Sequence, residues 1–301
     1  MEGCQTLHEL GVAKVRVHFS DRVLYSLRKL TKSFYAKRGT GLPRLAELIR
    51  RCVARAVKPG RVLLVNDFAG ESRFYCFLKD HMGGQIFFRG AYSGDQLPLL
   101  VQILNSESAF IDIGANQGEF SICAAALMRK GKVYAFEPVA LNLQRLRMNV
   151  KANGYDHVEI YPLGLGDKNQ DMVPIYGANS EFGDGSQHSG LPTIHPMANR
   201  TSPIGEISIR TLDSTLPQKS PPVDLIKIDV EGAELAVLQG AQSVVKNHRP
   251  YILFEVNQAT AEAAGFRVED LFVWFWEREY QLALVGYGGE LSILQEGGSF
   301  F

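Results

Sequence analysis

Clustered cysteines are absent from this chain of 301 residues. The four that it has, Cys4, Cys52, Cys76 and Cys123, are far apart and form no Cys-x-x-Cys pair. Cysteine metal sites and disulfide frameworks both need closer or more regular spacing. We therefore expect neither kind of site, and we expect a reducing, cytoplasmic location.

Long apolar runs are absent as well. The longest, such as residues 122–128, fall well short of the roughly 20 residues that span a bilayer. His8, Lys14 and Arg16 interrupt the N-terminal segment, which leaves no signal-peptide core. With 46% hydrophobic residues, the chain nevertheless has enough apolar side chains for a sizeable core. These features predict a soluble folded protein.

Net charge is zero, but the charges are unevenly distributed. Residues 1–61 contain 14 lysines and arginines against 4 acidic residues, whereas the remainder contains 18 against 28. The basic, helix-prone stretch 22–38 is compatible with peripheral contact to an anionic membrane or to a phosphorylated or lipid-linked ligand. We favour a helical cap whose apolar side packs on the rest of the fold. The stretch lacks the motifs of nucleic-acid modules, so no nucleic-acid partner is expected.

The Gly-x-Gly-x-x-Gly fingerprint of dinucleotide-binding proteins does not follow the first core strand. Instead, residues 110–120 read FIDIGANQGEF, an apolar strand that ends at Asp112, a turn that contains Gly114 and Gly118, and the start of a helix. A turn without Cβ atoms allows a ligand to lie against backbone N–H groups at a helix N-terminus. This pattern predicts a nucleotide-type cofactor pocket.

A second buried-type strand, 132–136, is followed by Glu137, which comes 23 residues after Gly114. A carboxylate at this position can accept hydrogen bonds from both hydroxyls of a ribose. Pro138 is expected to open the next helix, because its fixed φ suits the first helical turn.

These motifs, DIGANQG at 112–118 and AFEP at 135–138, resemble the S-adenosylmethionine site of doubly wound methyltransferases. Three further segments resemble the FkbM family of O-methyltransferases: LD at 212–213, DLIKIDVEGAE at 224–234 and ILFEV at 252–256. The likeness covers roughly residues 90–260, and KIDVEGAE is its most specific part. The resemblance implies that the cofactor is bound by Asp112, Gly114, Ala115, Asn116, Gly118, Glu137 and Pro138, with Asp167 at the adenine.

The order of elements predicts an α/β fold. From residue 109, strands at 109–113, 132–136 and 157–161 alternate with helices at 118–129 and 139–152. Such alternation is typical of a doubly wound, mostly parallel sheet of the Rossmann-like, class I methyltransferase type. Ligands of such sheets bind beyond the carboxyl ends of the strands, where Asp112, Glu137, Asp229 and Glu255 all fall.

We predict three regions. Residues 1–60 form a basic helical region, with helix across 7–58. Residues 61–104 form a small β-rich lead-in, with strand-like runs at 61–66, 73–78 and 85–88 and a helix at 94–104. Residues 105–301 form the S-adenosylmethionine-binding domain, which ends in a helix from 268 and an antiparallel hairpin at 282–285 and 291–294 that closes the sheet. Within it, the glycine- and proline-rich segment 177–205 is expected to be a lid or binding loop, or disordered.

The candidate catalytic residues lie near the end of the strand around 227. Lys227 and Asp229 share one face of that strand, and Glu231 follows where the next helix begins. Methyl transfer to a hydroxyl requires in-line alignment and a base that removes the proton. The candidates for this base are Asp229, Glu231, Glu255 and, from the 177–205 loop, His188 or His195.

Each of these residues also has a structural interpretation. Asp112 and Glu137 could cap the helices that follow them, Asp167 could form a turn, and Lys227 could form a buried ion pair. Glu231 could stabilise a helix N-terminus. The three carboxylates could also hold a magnesium ion, although we favour a site without metal.

The sequence thus favours an S-adenosylmethionine-dependent O-methyltransferase. The resemblance implies that its acceptor is a hydroxyl of a saccharide, a glycolipid or a polyketide-type natural product. The alternatives are an NAD(P)-dependent oxidoreductase that uses the same strand–turn–helix pocket, and a non-catalytic binding module that keeps the cofactor fold.

Overall fold

The computed structural model describes residues 20–37, 39–177, 186, 191–198 and 200–295. The helices of this part are α1 (Asp21–Ala36), α2 (Leu42–Ala56), α3 (His81–Arg89), α4 (Leu97–Ile103), α5 (Glu119–Leu127), α6 (Ala140–Asn153), α7 (Leu212–Thr215), α8 (Glu234–Gln239), α9 (Gln242–His248), α10 (Gln258–Ala263) and α11 (Val268–Trp276). The strands are β1 (Val62–Phe68), β2 (Ser72–Phe77), β3 (Ala109–Ile113), β4 (Lys132–Phe136), β5 (Val158–Tyr161), β6 (Gly164–Leu165), β7 (Gln170–Gly177), β8 (Ser202–Arg210), β9 (Leu225–Ile228), β10 (Tyr251–Phe254), β11 (Ala283–Val285) and β12 (Leu291–Ile293).

The centre of the fold is a five-stranded parallel sheet with the order β10-β9-β3-β4-β5. The chain runs outward from β3 through β4 to β5, and then returns to the other side of β3 to form β9 and β10. The direction of winding therefore reverses at β3, which places the ligand crevice beyond the carboxyl ends of β3 and its two neighbours. The predicted doubly wound parallel sheet is confirmed.

The two faces of this sheet bury two separate cores. On β3, Phe110 belongs to one core, whereas Ile111 and Ile113 belong to the other. Alternating strand residues point to opposite faces, and all five residues of β3 are buried. An apolar run without alternating polar residues is therefore the pattern of a strand covered on both sides.

The predicted N-terminal helix is divided into α1 and α2. Gly39, with a φ of +79°, lies between the two helices, and α2 has Pro43 in its first turn. The Ser20 side chain accepts the N–H of Val23 and caps α1. The part of the prediction that covers 7–19 lies outside the described residues. Leu24 and Val53 join the same core as Phe110, so these helices pack on the central fold.

The lead-in contains less strand than predicted. The hairpin β1–β2 is confirmed, but the strand predicted at 85–88 is wrong, because these residues lie in α3. Asp80 caps the start of this helix, and Gly90 ends it with a φ of +103°. A run of three apolar residues, 86–88, fits a buried strand as well as a buried helix, and in this case the flanking caps select the helix. The helix predicted at 94–104 is α4.

The C-terminal helix and hairpin are confirmed, as α11 and the antiparallel pair β11–β12. Among the described residues, however, this hairpin pairs with no strand of the central sheet, so the prediction that it closes the sheet is wrong. The turn between the two strands packs against α4 instead, with Gly289 next to Pro98.

Residues 202–205 of the segment predicted as an irregular loop belong to β8, whereas residues 178–185, 187–190 and 199 of that segment lie outside the described residues. β8 pairs with β7 antiparallel and with β6 parallel, which forms a separate three-stranded sheet. Ile175, Ile207 and Ile209 form a small core on this sheet. The alternation of Ile207 and Ile209 is a strand signal that the surrounding glycines and prolines obscured.

Cys52, Cys76 and Cys123 are free thiols, and Cys4 lies outside the described residues. In the described part of the chain, no helix is long and apolar enough to cross a membrane.

A buried acid joins the lead-in to the glycine turn at 114–118. Asp80 is 4% exposed, and its Oδ1 accepts a hydrogen bond of 2.6 Å from the Gln117 amide. Its Oδ2 forms a 3.1 Å ion pair with Arg145, whose guanidinium lies over the Phe77 ring. Polar groups of three segments therefore depend on one carboxylate.

We predict that Asp80→Ala lowers the free energy of unfolding by about 3–5 kcal/mol, because it leaves the Arg145 charge buried without this partner. Chemical denaturation measures this change. Glu107→Ala is the control, since it removes an ion pair with Lys130 in which both side chains are exposed. An equally small effect of the two substitutions would contradict the structural role of Asp80.

Candidate active site

A solvent-open cavity of about 700 Å³ lies beyond the carboxyl ends of β3, β4 and β9. Its polar lining includes Gly114, Asn116, Glu137, Asp229 and Glu231. Its apolar lining includes Leu163, Leu165, Ile175, Ile207 and Ile209. Residues from β3, β4, β9 and the three-stranded sheet thus converge on one space.

The glycine turn is shaped mainly by contacts within the protein. A Cβ on Gly114, where φ is +76°, would lie 1.9 Å from the carbonyl oxygen of Asp229. The N–H groups of Gly114 and Ala115 both donate to the carbonyl of Phe136, at 3.0 and 2.9 Å. The sequence suggested that a ligand would lie against these N–H groups, but the protein already uses them. The glycine is needed because the segment after β9 approaches closely.

Asn116 carries an unpaired acceptor in the cavity lining. Its backbone, at a φ of +52°, donates to Glu137 at 2.7 Å. Its buried Oδ1 has no hydrogen-bond partner among the described residues. A buried side-chain acceptor is normally satisfied, so this atom is suited to a hydrogen-bond donor on a ligand.

Glu137 is 4% exposed and accepts the N–H groups of Asn116 and Val139, at 2.7 and 2.8 Å. Burial raises its pKa to about 7, although these two hydrogen bonds oppose the shift. Each carboxylate oxygen keeps a second lone pair that can accept from a ligand hydroxyl. Glu137 can therefore hold the segments around Asn116 and Val139 and still bind a ligand. Pro138 lines the cavity, but it does not open the helix, because α6 begins two residues later at Ala140.

Asp112 is completely buried and is not among the residues that line the cavity. Its Oδ2 accepts a 2.6 Å hydrogen bond from Ser121, and its Oδ1 lies 3.5 Å from the Lys227 ammonium. Lys227 also donates to the carbonyl of Gly114 at 2.8 Å and pairs with Asp229 at 3.5 Å. Burial lowers the pKa of Lys227, but Asp229 and Asp112 outweigh it, and the net shift is upward. Lys227 is therefore a charged group in an ion-pair network.

Three carboxylates predicted at the strand ends do come together. Asp229, Glu231 and Glu255 each place an oxygen within 4.8 Å of the other two. The Glu255 side chain reaches solvent, yet partial desolvation, followed by the charge of Asp229, raises its pKa to about 8. A proton is thus held near this pair at neutral pH.

Glu231 is engaged by residues that the sequence did not indicate. Its carboxylate forms a 2.8 Å ion pair with Arg200, and the two residues are 9% and 7% exposed. Its carbonyl accepts a 2.7 Å hydrogen bond from the Thr193 hydroxyl. Burial raises the pKa of Glu231, and the Arg200 guanidinium opposes that shift. No local pattern around 193 or 200 could have revealed these contacts.

Other predicted residues lie farther from the cavity. Asp167 is exposed and does not line it, whereas Leu165 of the same segment does. Ala115 is buried in the core, and Gly118 is the N-cap of α5. His195 is half-buried, and burial lowers its pKa. His188 lies outside the described residues.

The lead-in brings a phenol near the carboxylates. Glu119, buried in the first turn of α5, accepts the N–H groups of Tyr92 and Ser93 at 2.6 and 3.0 Å. Burial raises the pKa of Tyr92 to about 12, with further contributions from Asp229 and Glu255. An acid in the first turn of a helix is common, so the sequence did not single out Glu119.

Curated relatives are methyltransferases or a larger synthetase. AmbE of Pseudomonas aeruginosa, an AMB antimetabolite synthetase, is 26% identical over 62% of this chain. Methyltransferase 1 of Beauveria bassiana is 25% identical over 44% of it, and the hexuronic acid methyltransferase AglP of Haloferax volcanii is 27% identical over 54%. The matched regions span 10%, 58% and 62% of the lengths of these three relatives.

Solved methyltransferase structures are also similar in part. A precorrin-6y C5,15-methyltransferase of Geobacter metallireducens matches 62% of this chain and 72% of its own, with 15% identity and a TM-score of 0.37. An rRNA methylase of Streptococcus thermophilus matches 62% of this chain and 81% of its own, with 13% identity and a TM-score of 0.38. At these scores, the fold assignment relies on the strand order given above.

The family model described as the methyltransferase FkbM domain matches residues 112–282, more than half of the chain. The match begins at Asp112, continues through the glycine turn and Glu137, and includes the carboxylates at the end of β9. The chain therefore belongs to the FkbM methyltransferase family.

Proposed function

We propose that this protein is an S-adenosylmethionine-dependent O-methyltransferase that acts on a hydroxyl of a saccharide, a glycolipid or a polyketide-type natural product. The observation that carries the proposal is the cavity at the switch point of the sheet. Glu137 and Asn116 line this cavity, and Asp229 lies at its edge, beside Glu255.

The cavity fits the cofactor in two respects. The second lone pairs of Glu137 suit the ribose hydroxyls, and Asn116 Oδ1 suits a further donor. The apolar wall formed by Ile175, Ile207 and Ile209 suits the adenine ring. When bound, S-adenosylmethionine supplies a methyl group on a positively charged sulfur, which the acidic surroundings favour.

The pair Asp229 and Glu255 suits removal of the acceptor proton. Lys227 pairs with Asp229, and the pKa of Glu255 lies near the pH at which a general base is effective. As the bond between the acceptor oxygen and the methyl carbon forms, the carbon–sulfur bond breaks and sulfur keeps its electron pair. The hydroxyl proton passes to the carboxylate. Glu231 is a weaker candidate, because Arg200 already engages it.

The arrangement of cations favours this proton-based role over a metal. Two of the three clustered carboxylates already have a protein cation beside them, Lys227 for Asp229 and Arg200 for Glu231. Activity that survives EDTA treatment would support a site without metal, and strict dependence on added Mg²⁺ would support the alternative.

The acceptor class is supported by chemistry and by one relative. Carboxylates and a phenol, such as Glu255 and Tyr92, are groups that hydrogen-bond sugar hydroxyls. AglP acts on a hexuronic acid, which is a saccharide. The clustered carboxylates of Asp229, Glu231 and Glu255 also disfavour a nucleic-acid acceptor, because they would repel its phosphate backbone.

A direct test is methyl transfer from labelled S-adenosylmethionine to a panel of free sugars, uronic acids, glycolipids and hydroxylated polyketides. Thermal shift with S-adenosylhomocysteine and with NADH separates the rival cofactors, since only a bound ligand raises the melting temperature. Stabilisation by NADH alone would favour the oxidoreductase. Stabilisation by S-adenosylhomocysteine without transfer to any acceptor would favour the binding module.

We predict that Glu137→Ala weakens S-adenosylhomocysteine binding by about 100-fold or more, because it removes two charge-assisted hydrogen bonds to the ribose. Asp229→Asn and Glu255→Gln keep the affinity within about threefold, and Glu255→Gln slows turnover by roughly 10²- to 10⁴-fold. Titration calorimetry and labelled-methyl assays measure the two effects. Equal loss of binding in all three variants would contradict this division of roles.

We predict that Glu255 titrates near pH 8 and that turnover rises with pH through this value, because the base must lose its proton. Asp229→Asn removes the adjacent charge and lowers the pKa of Glu255. Titration of ¹³C-labelled glutamate carboxyls by NMR measures the pKa of Glu255 in the wild type and in Asp229→Asn. The Glu255→Gln variant assigns the signal. A Glu255 pKa that is ordinary, or unchanged in Asp229→Asn, would be inconsistent with the coupling.

A further inference from the structure

Part of the cavity wall comes from a segment that lies far along the chain from the glycine turn. Pro192 and Ile194 line the cavity, and the residue between them, Thr193, is 1% exposed. The backbone of Thr193 pairs with Tyr176 of β7 through two hydrogen bonds, at 2.8 and 2.9 Å. We refer to residues 192–194 as the wall segment.

Two contacts connect the wall segment and its neighbour Arg200 to the strand end that bears the clustered acids. The Thr193 hydroxyl donates to the carbonyl of Glu231, and Arg200, just before β8, forms a buried ion pair with the carboxylate of Glu231. The carbonyl and the carboxylate of Glu231 are therefore both engaged by residues 193–200. In the sequence, Glu231 lies 38 residues after Thr193 and 31 residues after Arg200.

The backbone of Glu231 is consistent with a constrained position. Its φ of +52° is uncommon for a residue with a side chain, and a conformation of this kind persists only when the surroundings hold it. Glu231 is also a cavity-lining residue, next to Val230 and two positions after Asp229. A change in how Glu231 is held would therefore alter both the wall and the strand end.

We propose that Glu231 is a positioning residue: its contacts with Arg200 and Thr193 hold the wall segment against the cofactor cavity and thereby set cofactor affinity. This inference rests on the proposed function, in which the cavity binds S-adenosylmethionine. It gives Glu231 a role other than that of the base. It also makes Arg200 and Thr193 determinants of cofactor binding, although neither belongs to the glycine turn.

The test is S-adenosylhomocysteine affinity, measured by titration calorimetry on Arg200→Gln, Glu231→Gln and the double variant. Each single change is expected to weaken binding by about tenfold, since it leaves a buried charge without its partner. Both substitutions remove the same ion pair. The affinity of the double variant is therefore expected to be no lower than that of the single variant with the lower affinity. Arg210→Gln is the matched control, because Arg210 ends β8 and its ion pair with Asp171 of β7 is much more exposed than the pair between Arg200 and Glu231.

Thr193→Val is a second, nearly isosteric variant that keeps the Arg200 pair, and it is expected to weaken binding by about threefold. Melting temperatures without ligand, recorded on every variant, separate a loss of affinity from a loss of folding. Lower melting temperatures with unchanged affinity would overturn the inference and leave the proposed function intact. Additive losses in the double variant would also overturn it. A wild-type protein that binds no S-adenosylhomocysteine would overturn the proposed function and this inference together.

Discussion

The ammonium of Lys227 holds together the two strand ends on which the site depends. It donates to the carbonyl of Gly114 after β3, pairs with Asp112 inside that strand, and pairs with Asp229 beyond β9. A lysine that is 5% exposed remains charged only because carboxylates surround it. The close approach of Gly114 to the Asp229 carbonyl follows from the same arrangement, since a side chain there would separate the two segments.

The acidic residues around Lys227 differ in their partners and in their burial. Asp112 is buried and pairs with Lys227, and Glu231 pairs with Arg200. Glu137 has a raised pKa because it is buried, whereas Glu255 has a raised pKa because it is partly desolvated and lies beside Asp229. Similar residues at equivalent strand ends therefore differ in chemistry through burial and partners.

The N-terminal region is part of the same physical unit as the parallel sheet. Helices α1 and α2 and the β1–β2 hairpin share one core with β3 and α5, and Asp80 connects the lead-in to Gln117. Through Glu119, the lead-in also places Tyr92 near the carboxylates. Residues outside the family match, such as Asp80 and Tyr92, thus contact the segments that the match contains.

The amino-acid sequence by itself determined the central sheet, because strands buried on both faces, helices of period 3.6 and residues at strand ends are encoded over short stretches. Asp229, Glu231 and Glu255 could be placed together on that basis, since the carboxyl ends of parallel strands meet at one edge. Only the tertiary structure decided that Asp112 pairs with Lys227 and that Arg200 and Thr193 hold Glu231. These outcomes depend on contacts between residues far apart in the chain, which no local period records.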